Sequence, residues 1–262
     1  MPQRPIWSGT ISFGLVNIPV KLLSASQSEE LGFHMLSKKD LAPIKYARID
    51  TKTGEEVEWK NIVKGFEVSK GKFVVVDEED FAKASPKKSK SIDISQFVKA
   101  EEVDPIYFEK PYYLTPAKGG EKPYRLLLKA LEESGTIGIA EFMLRNRVHV
   151  CAIKSYQGKV LMLDQMRYQA EIRDIPEEVK EKSDKLPPKE LALALQLIEQ
   201  LTDKFNPNAF KDTYVNELKK LIKAKASGKK LRIAEVEDKQ PSNVKNLMDV
   251  LKQSLDKKKK RA

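Results

Sequence analysis

The chain has 262 residues, 40% of them hydrophobic and 33% charged, a composition that supports a buried core and excludes a disordered polymer. Residues 204–262 hold 17 Lys and Arg against 7 Asp and Glu, which accounts for the whole surplus of +10 and leaves residues 1–203 balanced. A basic segment of that kind suits a polyanion, either nucleic acid or an anionic membrane surface. The single cysteine, Cys151, excludes an internal disulfide framework and fits a reducing compartment.

Met1–Arg4 leads into Pro5-Ile6-Trp7 and then polar residues, so no secretory signal is read there, and no apolar run reaches transmembrane length. Residues 9–23 alternate in two registers, Ile11-Phe13-Leu15 and then Val16-Ile18-Val20. That is strand period with a kink or bulge expected near Gly14. Lys45–Ile49 and Glu56–Trp59 flank the turn residues 51–54 and predict a β-hairpin. Phe73–Val76 predicts a short strand, followed by Asp77-Glu78-Glu79-Asp80, acidic residues that suit a helix N-terminus. Residues 85–90 predict a loop, and Ser91–Val98 and Ile106–Leu114 further strands.

Tyr124, Leu127, Leu128 and Leu131 fall at i, i+3, i+4 and i+7 and predict an amphipathic helix. Ile137–Leu144, Val148–Tyr156 and Lys159–Met166 then predict three strands, the last two joined by a two-residue turn at Gln157-Gly158. Cys151 sits inside the second of these and reads as a small buried hydrophobe. Strand-rich sequence with short inserted helices predicts an α+β chain built on a barrel or sandwich.

The texture changes near residue 175. Pro187-Pro188 opens a helix whose face carries Leu191, Ala194, Leu195, Ile198 and Leu201. Asn206-Pro207-Asn208 ends it, a lysine-rich helix follows at about 211–226, and residues 228–230 form a joint. Ser242 or Asn243 caps a last helix with Val244, Leu247, Met248, Leu251 and Leu255 at helical spacing, before the basic end Lys257–Arg261.

Familiar catalytic signatures are absent from the sequence. Two histidines, His34 and His149, and one cysteine are too few for a zinc site of ordinary spacing. No phosphate-binding glycine loop, no HExxH pattern and no nucleophile elbow occurs. The acidic runs 77–80 and 101–104 read as helix starts and solvated loops, although a nuclease built on Asp and Glu would leave no clearer mark. No cofactor, no metal and no enzymatic activity are expected.

Region 38–72 carries Lys38, Lys39, Lys45, Arg48, Lys52, Lys60, Lys64, Lys70 and Lys72 against six acidic residues. Composition alone favours a solvated hairpin of mixed charge. A binding role requires the basic groups on one, concave side. An arm of ten residues per strand spans about 33 Å, long enough to cross a DNA duplex. Arg145 and Arg147, beside a turn at Asn146, form a second candidate cluster, and Lys21 at the end of the first strand a third.

The block Arg4-Pro5-Ile6-Trp7-Ser8-Gly9-Thr10-Ile11-Ser12-Phe13-Gly14-Leu15-Val16-Asn17-Ile18-Pro19-Val20 closely resembles the opening of bacterial Ku proteins. Gly54–Val57 with Trp59, Ile62–Glu67, Phe73–Asp77 and Phe108–Leu114 with the helix at 124–131 extend the resemblance over most of residues 4–205. It implies a Ku-type β-barrel with a strand-rich, DNA-encircling bridge at about 37–75, forming a core over residues 1–180. It further implies a helical dimerisation arm at 181–227 and a C-terminal helix with a lysine-rich tail at 228–262. The implied function is a homodimeric ring that binds double-stranded DNA ends without sequence specificity in non-homologous end joining and recruits an ATP-dependent DNA ligase D. The implied location is the bacterial cytoplasm, at the nucleoid and off the membrane.

Lys21, Lys60, Lys64 and Arg145 lie in blocks that match the family's DNA-facing barrel and bridge. Lys38, Lys45, Arg48, Lys72 and Arg147 join them as candidate DNA contacts from the two basic clusters. For the last helix three roles stand open: non-specific DNA binding, docking of the ligase through Val244, Leu247, Met248 and Leu251, or packing on its own barrel. Competing functions are a Gam-like protector of DNA ends, a carboxylate-metal nuclease, and a nucleoid or RNA-binding protein.

Overall fold

Side-chain alternation in the first 24 residues builds one wall of a barrel. Strands β1 (Trp7–Phe13) and β2 (Val16–Ser24) pair antiparallel from Trp7↔Leu22 to Phe13↔Val16. The kink expected at Gly14 is a full chain reversal: Gly14 adopts φ 57° and only Gly14-Leu15 separates the strands. A positive φ at the first turn position matches the twist of the flanking strands and suits a residue without a Cβ. The register change seen in the sequence is thus the crossing from one strand to its partner, and Ile11, Ile18, Val20 and Leu22 are all buried.

The computed structural model describes residues 3–27, 31–84, 90–145, 147–179 and 187–228. After β2 the chain makes an excursion containing a two-strand ribbon, β3 (Lys64–Ser69) and β4 (Lys72–Val76), and the short helix α1 (Glu78–Ala84). It re-enters as β5 (Ser91–Lys99) and β6 (Phe108–Pro116), passes through helix α2 (Glu121–Ser134), and finishes with β7 (Thr136–Leu144), β8 (Arg147–Tyr156) and β9 (Val160–Met166). Seven of these strands close a barrel in the order β1-β2-β6-β9-β8-β7-β5. Neighbours are antiparallel except at the seam, where β1 and β5 run parallel from Thr10↔Ser91 to Ser12↔Asp93. Gly9 stands at that seam. A Cβ there would lie 2.1 Å from the Lys90 carbonyl oxygen and 2.3 Å from the Trp7 ring, so the seam closes only on glycine.

The barrel interior is apolar and includes Ile11, Leu22, Ile92, Leu114, Phe142, Ile153, Leu161 and Leu163. Helix α2 completes it with Tyr124, Leu127, Leu128 and Leu131, the four residues whose spacing predicts the helix, each no more than 8% exposed. Cys151 is fully buried in the same cluster, as its strand context predicts, and burial with the nearby Asp164 and Glu141 charges pushes its thiol well above the ordinary range. The connection between β8 and β9 is longer by one residue than expected. Lys159 N–H donates to the Tyr156 carbonyl at 3.1 Å and the ladder resumes at Tyr156↔Val160, leaving three residues in the loop.

The hairpin predicted across 45–59 does not form as two strands. It is reduced to the single bridge Ile49↔Glu56 around the turn at 50–54, and Trp59–Asn61 is a 3-10 turn. The strand pair of this excursion lies later, at 64–76, where the β-branched and aromatic residues Phe66, Val68 and Phe73–Val76 are concentrated.

The chain divides into two compact units, Met1–Ser28 with Gly32–Asp174, and Glu29–Leu31 with Ile175–Ala262. The second unit contains helices α3 (Pro188–Leu201) and α4 (Thr213–Ala226). Pro188 occupies the first turn of α3, as predicted, and the Asp212 carboxylate caps α4 by accepting the Val215 N–H at 3.0 Å. Residues 85–89 of the predicted loop, the predicted C-terminal helix with Val244, Leu247, Met248 and Leu251, and the lysine-rich end lie outside the described residues.

Candidate nucleic-acid interface

None of residues 31–84 is buried. This segment connects β2 to the seam strand β5 and carries six of the nine candidate basic positions; Lys21, Arg145 and Arg147 lie elsewhere. Two local turns organise its first half. Leu36 bridges Pro43 around a tip that presents Lys38 and Lys39, with Leu41 held at φ 59° and its N–H donating to the Ser37 carbonyl at 2.8 Å. Ile49 bridges Glu56 around a second tip, and Val57 N–H donates to the Arg48 carbonyl at 2.7 Å.

Several acidic residues of the segment help to build it. Asp50 accepts the N–H groups of Lys52 and Thr53 at 2.7 and 3.2 Å, which hold its carboxyl below the ordinary range. Asp40 is lowered by a side-chain hydrogen bond from Ser37 and by the Ala42 N–H. Glu67 accepts the Gly71 N–H at 2.8 Å across the β3–β4 turn. These carboxylates close turns, while Lys38, Lys45, Arg48, Lys64 and Lys72 remain exposed. Several carboxylates are thus engaged in local turns, which a residue count of mixed charge does not convey, while Glu55, Glu56 and Glu58 stay exposed beside the basic groups.

The basic side chains differ in what holds them. Lys60 is paired with Glu58 at 2.5 Å, and Arg147 with Glu171 at 3.1 Å. Glu171 is itself lowered first by accepting the Tyr168 N–H and then by Arg147. The Arg48 guanidinium lies over the Trp59 ring, 4.5 Å from its centroid, and the Lys64 ammonium lies 4.8 Å from the Phe81 centroid. Lys64 and Lys72 stand at opposite ends of the β3–β4 ribbon, paired with Val76 and Ser69. Arg145 adopts φ 52° in the turn after β7, and Arg147 begins β8.

Lys21 lies apart from these, on the outer face of the barrel wall. The register places it between Ser8 of β1 and Thr115 of β6. Cross-strand neighbours project on the same side of a sheet, so two hydroxyl-bearing residues flank Lys21 along the wall, a combination suited to phosphate oxygens. Sequence does not mark Ser8, Thr115, Trp59 and Phe81 as site residues. Their signal lies in strand register and in contacts between residues far apart in the chain. Among the described residues no group of three or more His, Cys, Asp and Glu is placed to hold a metal, and no helix is long and apolar enough to cross a membrane.

A closed seven-strand barrel with a long exposed excursion of mixed charge between its second and third wall strands defines the class. Residues 12–193 match the family model described as the Ku70/Ku80 beta-barrel domain. Non-homologous end joining protein Ku of Opitutus terrae is 42% identical over 255 residues, covering 97% of this chain and 91% of that protein. The protein of the same name from Archaeoglobus fulgidus is 40% identical over 263 residues, covering 97% and 99%. That from Coxiella burnetii is 38% identical over 266 residues, covering 99% and 97%. The chain belongs to the Ku family.

Proposed function

We infer that this chain binds double-stranded DNA ends as a homodimeric ring and acts in non-homologous end joining without catalysing a reaction itself. The observation that supports the reading best is the excursion at 31–84. It exposes Phe33, Leu41, Tyr46, Trp59, Val63, Phe66 and Phe73 at 62–84%, and it has no buried residue of its own. A two-stranded ribbon with apolar side chains on both faces is marginal alone in water and needs a covering surface. A second copy supplies one, and two such arms enclose a channel.

Phosphate contacts from Lys and Arg position a protein on DNA and carry no sequence information. The candidate contacts are Lys21, Lys38, Lys45, Arg48, Lys60, Lys64, Lys72, Arg145 and Arg147. Affinity then arises largely from counterion release, with log K falling against log salt by about 0.9 per phosphate neutralised. A closed ring loads only where the duplex terminates, so topology selects broken DNA. Helix α3 supports dimerisation in the same way, since Leu191, Leu195, Ile198 and Leu201 are 49–62% exposed along one face. The segment 181–227 is the proposed dimerisation arm. Residues 228–262, with Val244, Leu247, Met248 and Leu251, are the proposed dock for an ATP-dependent DNA ligase D. Association with broken chromosomal DNA places the protein at the nucleoid.

The test compares linear duplex with a covalently closed circle of the same sequence in a gel shift at rising salt. Salt-resistant complexes on the line alone support the reading, and equal retention on both contradicts it.

A further inference from the structure

The nine candidate cations are not equivalent, and the difference lies in what each one touches. A carboxylate partner occupies N–H donors and neutralises charge, so Lys60 and Arg147 must give up Glu58 and Glu171 before they meet a phosphate. An aromatic partner does neither. A guanidinium stacked over an indole keeps its full charge and its in-plane N–H donors, and it loses rotamer freedom before any ligand arrives. Arg48 and Lys64 stand in this second condition, at 4.5 Å from the Trp59 centroid and 4.8 Å from the Phe81 centroid. Among the described residues neither forms an ion pair within 4.0 Å.

Both aromatics are anchored by their own backbone. Val57 N–H to Arg48 carbonyl, Asp50 N–H to Glu55 carbonyl and the Ile49↔Glu56 bridge hold the two runs that carry Arg48 and Trp59 side by side. Phe81 sits in α1, whose start is fixed by reciprocal bonds between Asp77 and Asp80: the Asp80 N–H donates to the Asp77 carboxylate at 2.9 Å and the Asp77 N–H to that of Asp80 at 3.2 Å. The same Asp77 follows β4, whose last residue Val76 pairs with Lys64. Neither ring is buried: Trp59 is 71% exposed and Phe81 45%. Large aromatic side chains left in solvent at these two places have a use if they hold the cations over them.

We propose that Trp59 and Phe81 are positioning residues for duplex binding, preorganising Arg48 and Lys64 as the phosphate contacts of the excursion. The proposal rests on the DNA-binding reading and ranks its contacts: the aromatic-backed cations dominate, and the carboxylate-paired ones contribute less.

The test is a double-variant cycle on linear duplex, read as affinity and as the slope of log K on log salt. Arg48→Ala lowers the slope by about 0.9. Trp59→Ala weakens binding about two- to fivefold, the worth of an exposed cation–π contact, and leaves the slope unchanged because the charge is still present. Arg48→Lys behaves like Trp59→Ala, keeping charge but losing the planar stack, and Trp59→Phe retains most of the affinity. In the Arg48→Ala background, Trp59→Ala has no further effect. Phe81→Ala and Lys64→Ala form the parallel cycle, and Lys60→Ala and Arg147→Ala each cost less than Arg48→Ala.

Additive losses in the double variant would make Trp59 a structural residue and overturn the proposal. So would a loss on Lys60→Ala equal to that on Arg48→Ala. A wild-type chain that binds no duplex at all would refute the function itself, which separates the two failures.

Discussion

The Tyr124 hydroxyl accepts the backbone N–H of Leu161 at 2.8 Å. It also donates to the Leu114 carbonyl at 2.6 Å, and Leu114 and Leu161 are register partners in β6 and β9. A single side chain of α2 therefore completes the hydrogen bonding of two barrel strands, while burial raises its own pKa. Tyr124→Phe preserves the ring and leaves a buried N–H and carbonyl short of a partner. The expected loss is about 1–3 kcal/mol, measured by urea denaturation. No change in the midpoint would show that the hydroxyl does not secure the helix to the barrel.

A second prediction concerns Lys154 and Asp164 on β8 and β9. Their ion pair spans 2.5 Å with the carboxylate side chain only 8% exposed, and the Lys154 ammonium also lies 5.0 Å from the Phe108 centroid. Lys154→Met strands a nearly buried carboxylate. The cost is about 3 kcal/mol, at the low end for a broken buried pair because the lysine is partly in solvent. Replacing both residues, Lys154→Met with Asp164→Leu, restores most of it, again by denaturation. A double variant no more stable than the single one would contradict this.

His149 supplies a pH dependence with a definite sign. Burial, followed by the Arg147 charge, lowers its pKa below the ordinary value of 6.5. The unfolded chain then binds more protons than the folded one below that value, so stability rises with pH in the window. The contribution is complete above the unfolded pKa and is lost as pH falls toward the folded one. His149→Gln is expected to flatten the fall in denaturation midpoint between about pH 7 and 5. An unchanged pH profile would assign the acid sensitivity to other groups.

The parts of this molecule legible in sequence are those set by local period. The stripe Tyr124, Leu127, Leu128 and Leu131 predicts α2, and all four residues are buried. Alternation likewise places most barrel strands, and Cys151 within one of them. What was not legible depends on contacts between distant residues. A register change at Gly14 looks the same for a bulge and for a hairpin until the pairing is known. The hairpin expected at 45–59 shrinks to one bridge because its alternating residues have no core to cover. For the interface, sequence indicates which residues are basic, but Arg48 and Trp59 are eleven positions apart, and Arg147 and Glu171 twenty-four. Which cation is stacked and which is ion-paired follows only from the fold.

Removal of residues 229–262 separates two proposed roles. DNA-end binding by the remaining chain is expected to persist, with a smaller salt slope to the extent that tail lysines touch phosphates. Stimulation of an ATP-dependent ligase is expected to fall. Gel shift and a nick-free end-joining assay check the two arms. Loss of all end binding would move the principal site into the tail.

The central claim is that the protein threads onto DNA as a ring. Its most direct test loads the protein on linear duplex, blocks both ends with bulky caps, and then raises the salt. Threaded rings are expected to stay on the capped DNA and to leave once one cap is cleaved. Dissociation at the same rate with and without caps would contradict a ring.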